Sequence, residues 1–283
     1  MVEGGFWSKL WQSGLSVAKV LLRSKWFVSL PKVSGNGAEI VVLGNGPSLA
    51  TTMQENADFL QNHELFAVNF FANAPQFMQL QPRYYVLADP LFFTSPDLPN
   101  VKALWEHLHG ATWEMTLFVP AGVRMSGRVR DYLRACERLR VVRYNMTPVE
   151  GFDWLENLCF RTNLGMPRPR NVLIPALMLA VNMGYRAVYV AGADHSWTRT
   201  LSVDDDNHVV SVQPHFYKDD EGEEHRQRVD YMKYPLHQIL YSFYVAFRSY
   251  FAIERYSQSR GITIYNVTPG SFIDAFRRKS LKG

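Results

Sequence analysis

Apolar residues recur along this chain with two different periods, and the alternation between them predicts the architecture. Short runs rich in β-branched and aromatic residues fall at Ile40 to Leu43, Leu65 to Val68, Tyr84 to Leu87, Thr116 to Val119, Arg140 to Arg143, Ala187 to Ala191 and Ile262 to Tyr265. Each suits a strand covered on both faces. Longer stretches with helical spacing separate them. Asn171 to Met183 is the clearest, ending at Gly184, a residue suited to a left-handed cap. A second long apolar and aromatic helix is predicted over Pro235 to Arg260, stopping at Gly261. Strands alternating with helices predict an α/β fold, a mainly parallel Rossmann-like sheet flanked by helices.

Two segments depart from that rhythm. Residues 1–33 precede the Gly-rich break Ser34-Gly35-Asn36-Gly37 and read as an N-terminal amphipathic helical segment, apart from one α/β domain over 34–283. From about residue 195 to 235 the periodicity disappears, with Asp204-Asp205-Asp206 and a polar run from Lys218 to Glu224. A stretch of ~40 residues without periodicity inside a compact domain predicts a functional loop, read here as a lid over a ligand site.

Composition narrows the setting. A chain of 283 residues, 47% of them hydrophobic, can bury a substantial core. The net charge of +4 is modest and the basic residues are dispersed, so no nucleic-acid partner is expected. Cys136 and Cys159 are too few for a disulfide framework or a zinc ribbon. With no signal-peptide layout and no apolar run near the ~18 residues of a membrane span, a cytoplasmic location is expected.

The N-terminal segment refines that expectation. Phe6, Trp7, Leu10, Trp11, Leu15, Ala18, Leu21 and Leu22 recur near helical spacing, with Lys9, Lys19, Arg23 and Lys25 between them and Trp26 following. Such a pattern over residues 5–27 suits peripheral contact with an anionic membrane, here the inner face of the cytoplasmic membrane. It also suits a helix packed on its own domain or on a neighbouring subunit of a homo-oligomer. The tail from Phe276 to Lys282 reads either as a second basic patch or as a solvated terminus.

Candidate chemistry gathers where strands end, because open parallel sheets bind ligands beyond the carboxyl ends of their strands. The first strand runs into Gly44-Asn45-Gly46-Pro47-Ser48, the second into Asn69, the third into Asp89-Pro90 and the sixth into Gly192-Ala193-Asp194-His195-Ser196. The last ends in Asn266 and Thr268-Pro269-Gly270-Ser271. Glycines after the first strand would let backbone amides approach a phosphate or a ribose, and Ser48 would bind an anion or cap the next helix. The spacing G-N-G is neither the dinucleotide fingerprint nor the P-loop.

"GNGPSL", the asparagine after the second strand, the D-P pair after the third, and "ALMLAVNMGYRAVYVAGAD" together resemble the bacterial CMP-sialic-acid-dependent sialyltransferases. They also resemble the wider sialyltransferase-like group of surface-glycan and flagellin-glycosylation pathways. The similarity covers about residues 38 to 93 and 165 to 195, and "VTPGSFIDAF" more loosely. It implies a GT-A-like nucleotide-binding domain that transfers a sialic-acid-like sugar from a CMP-activated donor, with inversion, to a surface-glycan or lipid-linked acceptor. By that resemblance Gly44, Asn45, Gly46, Pro47, Ser48 and Asn69 hold the donor. Asp89 stands where the family carries asparagine; a carboxylate there would repel phosphate and suits a ribose or base. The family's donor-contacting turn falls near Arg168, Arg170 and Asn171, and Asp194 shapes the pocket. No cofactor is implied beyond the donor itself, with Mg²⁺ left open.

The resemblance implies a histidine general base near the lid: His237 by position, with His215 and His225 in the lid and His195 at a strand end as alternatives. The family's tyrosines that assist phosphate departure have no matched counterparts, only Tyr217, Tyr231 and Tyr234 as neighbours. Asp204-Asp205-Asp206 could mimic a metal-bridging D-x-D, but it lies in a polar loop rather than after a strand. Two rival readings stand. One is a Mg²⁺-dependent pterin-type pyrophosphokinase in which Asp89 and Asp194 hold the metal. The other is a non-catalytic partner in glycan assembly.

Overall fold

The structure is a computed structural model and describes residues 5–33, 37–213, 227–230 and 234–281. Among the described residues eleven strands form: β1 (Glu39–Leu43), β2 (Glu64–Val68), β3 (Tyr84–Val86), β4 (Met115–Pro120), β5 (Leu139–Tyr144), β6 (Ala187–Ala191), β7 (Ser202–Val203), β8 (Val209–Gln213), β9 (Gln227–Asp230), β10 (Thr263–Asn266) and β11 (Arg277–Arg278). The α-helices are α1 (Phe6–Arg23), α2 (Ser48–Glu55), α3 (Ala57–Gln61), α4 (Gln76–Leu80), α5 (Leu91–Thr94), α6 (Pro99–His109), α7 (Gly127–Ala135), α8 (Asp153–Arg161), α9 (Leu173–Met183) and α10 (Leu236–Ser259). No described helix is long and apolar enough to cross a membrane.

Eight strands make one sheet in the order β11-β10-β6-β1-β2-β3-β4-β5, and every pair in it is parallel. This is a Rossmann-like α/β architecture. Successive residues of its strands serve opposite faces, as a period of two demands. Ile40, Val42, Phe66, Val68, Val188 and Val190 pack with α8, α9 and α10. Val41, Leu43, Leu65, Ala67, Tyr189 and Ala191 pack on the other side, under α3 and α6. The chain leaves β1 toward β5 on one side and returns to β6 on the other, so the topological switch point lies between β1 and β6.

Helix α9 lies wholly in the core: every residue from Leu173 to Met183 is buried. Gly184 ends it in the left-handed region at φ 97°. Helix α1 behaves differently. Its buried residues are Ser13, Ser16 and Val20.

One expectation is corrected and one is qualified. The aperiodic 195–235 stretch is no structureless loop, since β7, β8 and β9 form a three-stranded antiparallel sheet. Backbone pairing holds these short strands, of which β8 supplies three valines, without needing a regular apolar alternation. Asp204-Asp205-Asp206 belongs to the turn between β7 and β8. There Asp204 Oδ1 accepts from the amides of Asp206 (3.1 Å) and His208 (2.8 Å), and Asn207 takes φ 61°. The C-terminal tail keeps Arg277, Arg278, Lys279 and Ser280 exposed, as a basic surface segment would, but it is tied to the sheet up to residue 281. Phe276 is buried, β11 pairs with β10, and Arg278 donates to the Thr268, Ser271 and Ile273 carbonyls.

Candidate functional site

A cavity of about 530 Å³ opens at the carboxyl end of the sheet, at the switch point between β1 and β6. The turn after β1 forms one wall. Gly44 donates to the Ala191 carbonyl and Gly46 to the Gly192 carbonyl, both at 2.8 Å, so the exits of β1 and β6 are sewn together. This sewing explains the glycines. A Cβ on Gly44 would overlap the Gly192 carbonyl, and one on Gly46 would overlap the Asp194 carboxylate and come within 2.7 Å of the Gly192 oxygen. Their missing side chains make room for the neighbouring turn, where the sequence suggested room for a phosphate.

Asp194 occupies the position the sequence offered to an anion. Its Oδ2 accepts from the Ser48 hydroxyl at 2.7 Å and from the Ser48 amide at 3.4 Å, placing a carboxylate at the N-terminus of α2. Burial raises the Asp194 pKa, and the Ser48 hydrogen bonds pull it back down. The Ser48 hydroxyl is therefore committed to Asp194, and Ser48 does not line the cavity. The last strand's exit buttresses this turn: Ala193 N donates to Thr268 Oγ1 (3.0 Å) and Ser271 Oγ to the Ala193 carbonyl (2.6 Å).

Across the cavity, Asn45 Nδ2 donates to the Val68 carbonyl at 3.2 Å, tying the first turn to the end of β2. Asn69 follows in the left-handed region at φ 48°. Its carbonyl accepts from the Tyr85 hydroxyl, while its Oδ1 is buried with no hydrogen-bond partner among the described residues. Asp89 stands exposed at the rim, with Oδ1 accepting from the Leu91 amide at 2.8 Å.

The third wall is the start of α9. Asn171 Oδ1 accepts from the amides of Leu173 (3.1 Å) and Ile174 (3.4 Å) and from the Tyr250 hydroxyl (3.0 Å). His195 completes this group. It is buried, takes φ 51°, and sets Nε2 at 2.6 Å from the Tyr250 oxygen. Its ring lies 4.1 Å from that of Trp197. Burial lowers the His195 pKa to about 3. The imidazole is thus neutral near pH 7 and serves as a hydrogen-bonding strut.

The cavity brings together Gly44, Asn45, Gly46, Pro47, Asn69, Asp89, Asn171, Asp194 and His195. It does not include His237, which is exposed on the first turn of α10. His215 and His225, with Tyr217 and Tyr231, lie outside the described residues. Arg168 and Arg170 separate clearly. Arg168 is paired with Glu150, which Arg248 also engages, whereas Arg170 is exposed and lines the cavity. Arg170 is the only lysine or arginine lining it among the described residues. Sequence reasoning missed Trp197, which lines the cavity, and Tyr250, which braces Asn171 and His195 behind the wall. Tyr250 sits among many aromatics on α10, and Trp197 follows His195 with no spacing to mark it.

Fold and site together define an open, parallel Rossmann-like α/β protein with a ligand-sized cavity at its switch point. No family model matches the chain, and no curated protein sequence matches it. Among solved structures it is similar to the MAf glycosyltransferase from Magnetospirillum magneticum AMB-1, over 99% of this chain, with a TM-score of 0.51 and 13% identity. The chain spans 39% of that protein's length. At this identity the likeness shows the fold.

Proposed function

We propose that this chain is a glycosyltransferase that binds a CMP-activated, sialic-acid-like sugar in the cavity and transfers it with inversion to a surface-glycan or lipid-linked acceptor. The carrying observation is that residues chosen from four separate strand exits, on the sialyltransferase-like pattern, line one cavity at the switch point. The fold shared with a glycosyltransferase supports the same reading.

Charge orients the donor. Asp194 already caps α2, so the phosphate would not sit there. Arg170, beside the start of α9, is the cation available to it. The ribose and base then face Asn69 and Asp89, where a carboxylate accepts hydroxyl hydrogen bonds. In the transfer, the acceptor hydroxyl oxygen bonds to the anomeric carbon as the carbon–oxygen bond to phosphate breaks. CMP departs with that electron pair toward Arg170, and a base takes the hydroxyl proton. His195 is buried, bonded to Tyr250 and of lowered pKa, which makes it a poor proton acceptor, so the base is proposed among the histidines in and after the lid, His237, His215 and His225.

A thermal-shift panel of CMP, CDP, UDP, GDP and ATP, with and without Mg²⁺, tests the reading, since a ligand that binds only the folded state raises its melting temperature. Stabilisation by CMP without metal, lost in Arg170→Ala, is the expected result. Stabilisation by ATP only with Mg²⁺ would replace it with pyrophosphoryl transfer at Asp89 and Asp194, which share the cavity. Gly46→Ala is unsuitable as a probe of donor binding, because its Cβ would strike Asp194.

A further inference from the structure

Helix α1 is attached to the protein by its polar side. Ser13 Oγ accepts from the Phe152 amide at 3.0 Å. Ser16 Oγ accepts from the Glu150 amide at 2.9 Å and donates to the Glu150 carbonyl at 2.7 Å. One step beyond the helix, Ser24 Oγ donates to the Leu164 carbonyl (2.6 Å) and lies 2.8 Å from Thr147 Oγ1, whose hydroxyl can donate to it. Asn145 exchanges hydrogen bonds with both backbone groups of Lys25. Gly151 lets the helix come this close, since a Cβ there would overlap Ser13.

The apolar stripe consequently faces away from the protein. Trp7 is 78% exposed, Trp11 70%, Leu22 84% and Phe27 fully exposed, with Phe6, Leu10, Leu15, Leu21 and Trp26 also open. Trp154 and Leu158 of α8 are exposed as well, and α8 lies beside α1 through the Phe6–Phe152 ring contact and the Lys9–Asp153 pair. A helix of a water-soluble domain ordinarily turns such a stripe inward, where each large side chain contributes about 1.5–3 kcal/mol on burial. Here the stripe is left for an occupant outside the fold.

Charge and side-chain type identify that occupant. Lys9, Lys19, Arg23, Lys25 and Lys32 are the only charged residues from 5 to 38, and no acidic residue interrupts them. Protein–protein interfaces are depleted in lysine. Tryptophan beside lysine and arginine is instead the composition of a helix lying in an anionic bilayer surface, with rings at headgroup depth and ammonium groups on phosphate. We infer that α1, with Trp26 and Phe27, is a preassembled docking face for an anionic lipid surface. The serine contacts hold it helical before any lipid is met, so ordering cost is small on contact. The inference does not depend on the sugar donor proposed above.

Co-sedimentation of the full chain with phosphatidylglycerol–phosphatidylcholine vesicles, against phosphatidylcholine alone, tests it. Pelleting with the anionic vesicles only, with a blue shift of tryptophan emission, is expected. The triple variant Lys19→Gln, Arg23→Gln, Lys25→Gln should bind roughly a hundred-fold more weakly. The variant Trp7→Ser, Trp11→Ser, Leu22→Ser should lose at least about ten-fold, with a nearly unchanged melting temperature in both cases because the altered side chains are exposed, apart from the half-buried Lys19. Absence of pelleting, or equal pelleting with neutral vesicles, overturns the inference. A dimer in analytical ultracentrifugation that the tryptophan variant abolishes, without vesicle binding, would assign the face to a second copy.

Discussion

Helices α9 and α1 carry similar messages in sequence and opposite ones in structure. Both show apolar residues at helical spacing. In α9 the whole helix is buried, with Asn171 at its start and Gly184 at its end. In α1 three residues are buried, two of them serines. Periodicity states that a segment is helical and where its apolar side lies. It does not state whether that side faces the protein's own core. The choice depends on what surface the rest of the chain offers, and the 145–152 segment offers α1 backbone amides and carbonyls rather than an apolar groove.

The contrast can be broken or sharpened by experiment. The largest effect is expected from acid, at the group that braces the start of α9. Burial holds the folded-state pKa of His195 near 3, below its ordinary 6.5, so the unfolded chain binds the proton more readily. The stability this group confers is complete above about pH 6.5 and is lost as pH falls toward 3. Asp194, Glu156 and Glu254, whose pKa values burial raises, partly oppose that loss. Melting temperatures followed from pH 7 to 4 should fall steeply, and less steeply in His195→Asn, which tolerates the left-handed backbone. An equal slope in both proteins would remove His195 from this role.

Next in size is Leu177→Ala in the middle of α9. Leu177 is fully buried, and the substitution should cost about 2–5 kcal/mol in denaturant unfolding. Gly151→Ala should follow, with a local penalty of roughly 1–3 kcal/mol, because Ser13 and the helix backbone occupy the space the methyl would need and φ is 143°. Hydrogen exchange should then show α1 opening while α9 stays protected. Smallest is Leu22→Ser, expected within about 0.5 kcal/mol of the parent because the side chain is 84% exposed. A loss as large as that of Leu177→Ala would mean that α1 buries its apolar side against the protein after all.

Much of the sheet was legible because buried parallel strands carry a strong local signal. Each of the seven runs expected from the sequence lies within one residue, at either end, of a strand of the sheet. The eighth strand, β11, is two residues of arginine, and no hydrophobic pattern announces it. β7 to β9 were also missed, being short and set in a polar, aperiodic stretch, although β8 carries three valines. At the site, the strand-exit residues were recognisable as a group, but their individual duties were not. Gly44 and Gly46 are small for the sake of the Gly192 turn. Ser48 serves Asp194, and Arg168 and Arg170, two residues apart, face different partners.

By itself, then, the sequence determined the alternation of strands and helices, the α/β class and the strand exits where polar residues collect, since these follow from local periodicity and backbone preference. The tertiary structure decided which of those residues share a cavity, which carboxylate caps α2, that His195 stays neutral, and that α1 turns its tryptophans outward. Those outcomes depend on segments far apart in the chain, such as Ser48 with Asp194, Ser16 with Glu150 and His195 with Tyr250, and no local pattern encodes a contact between them.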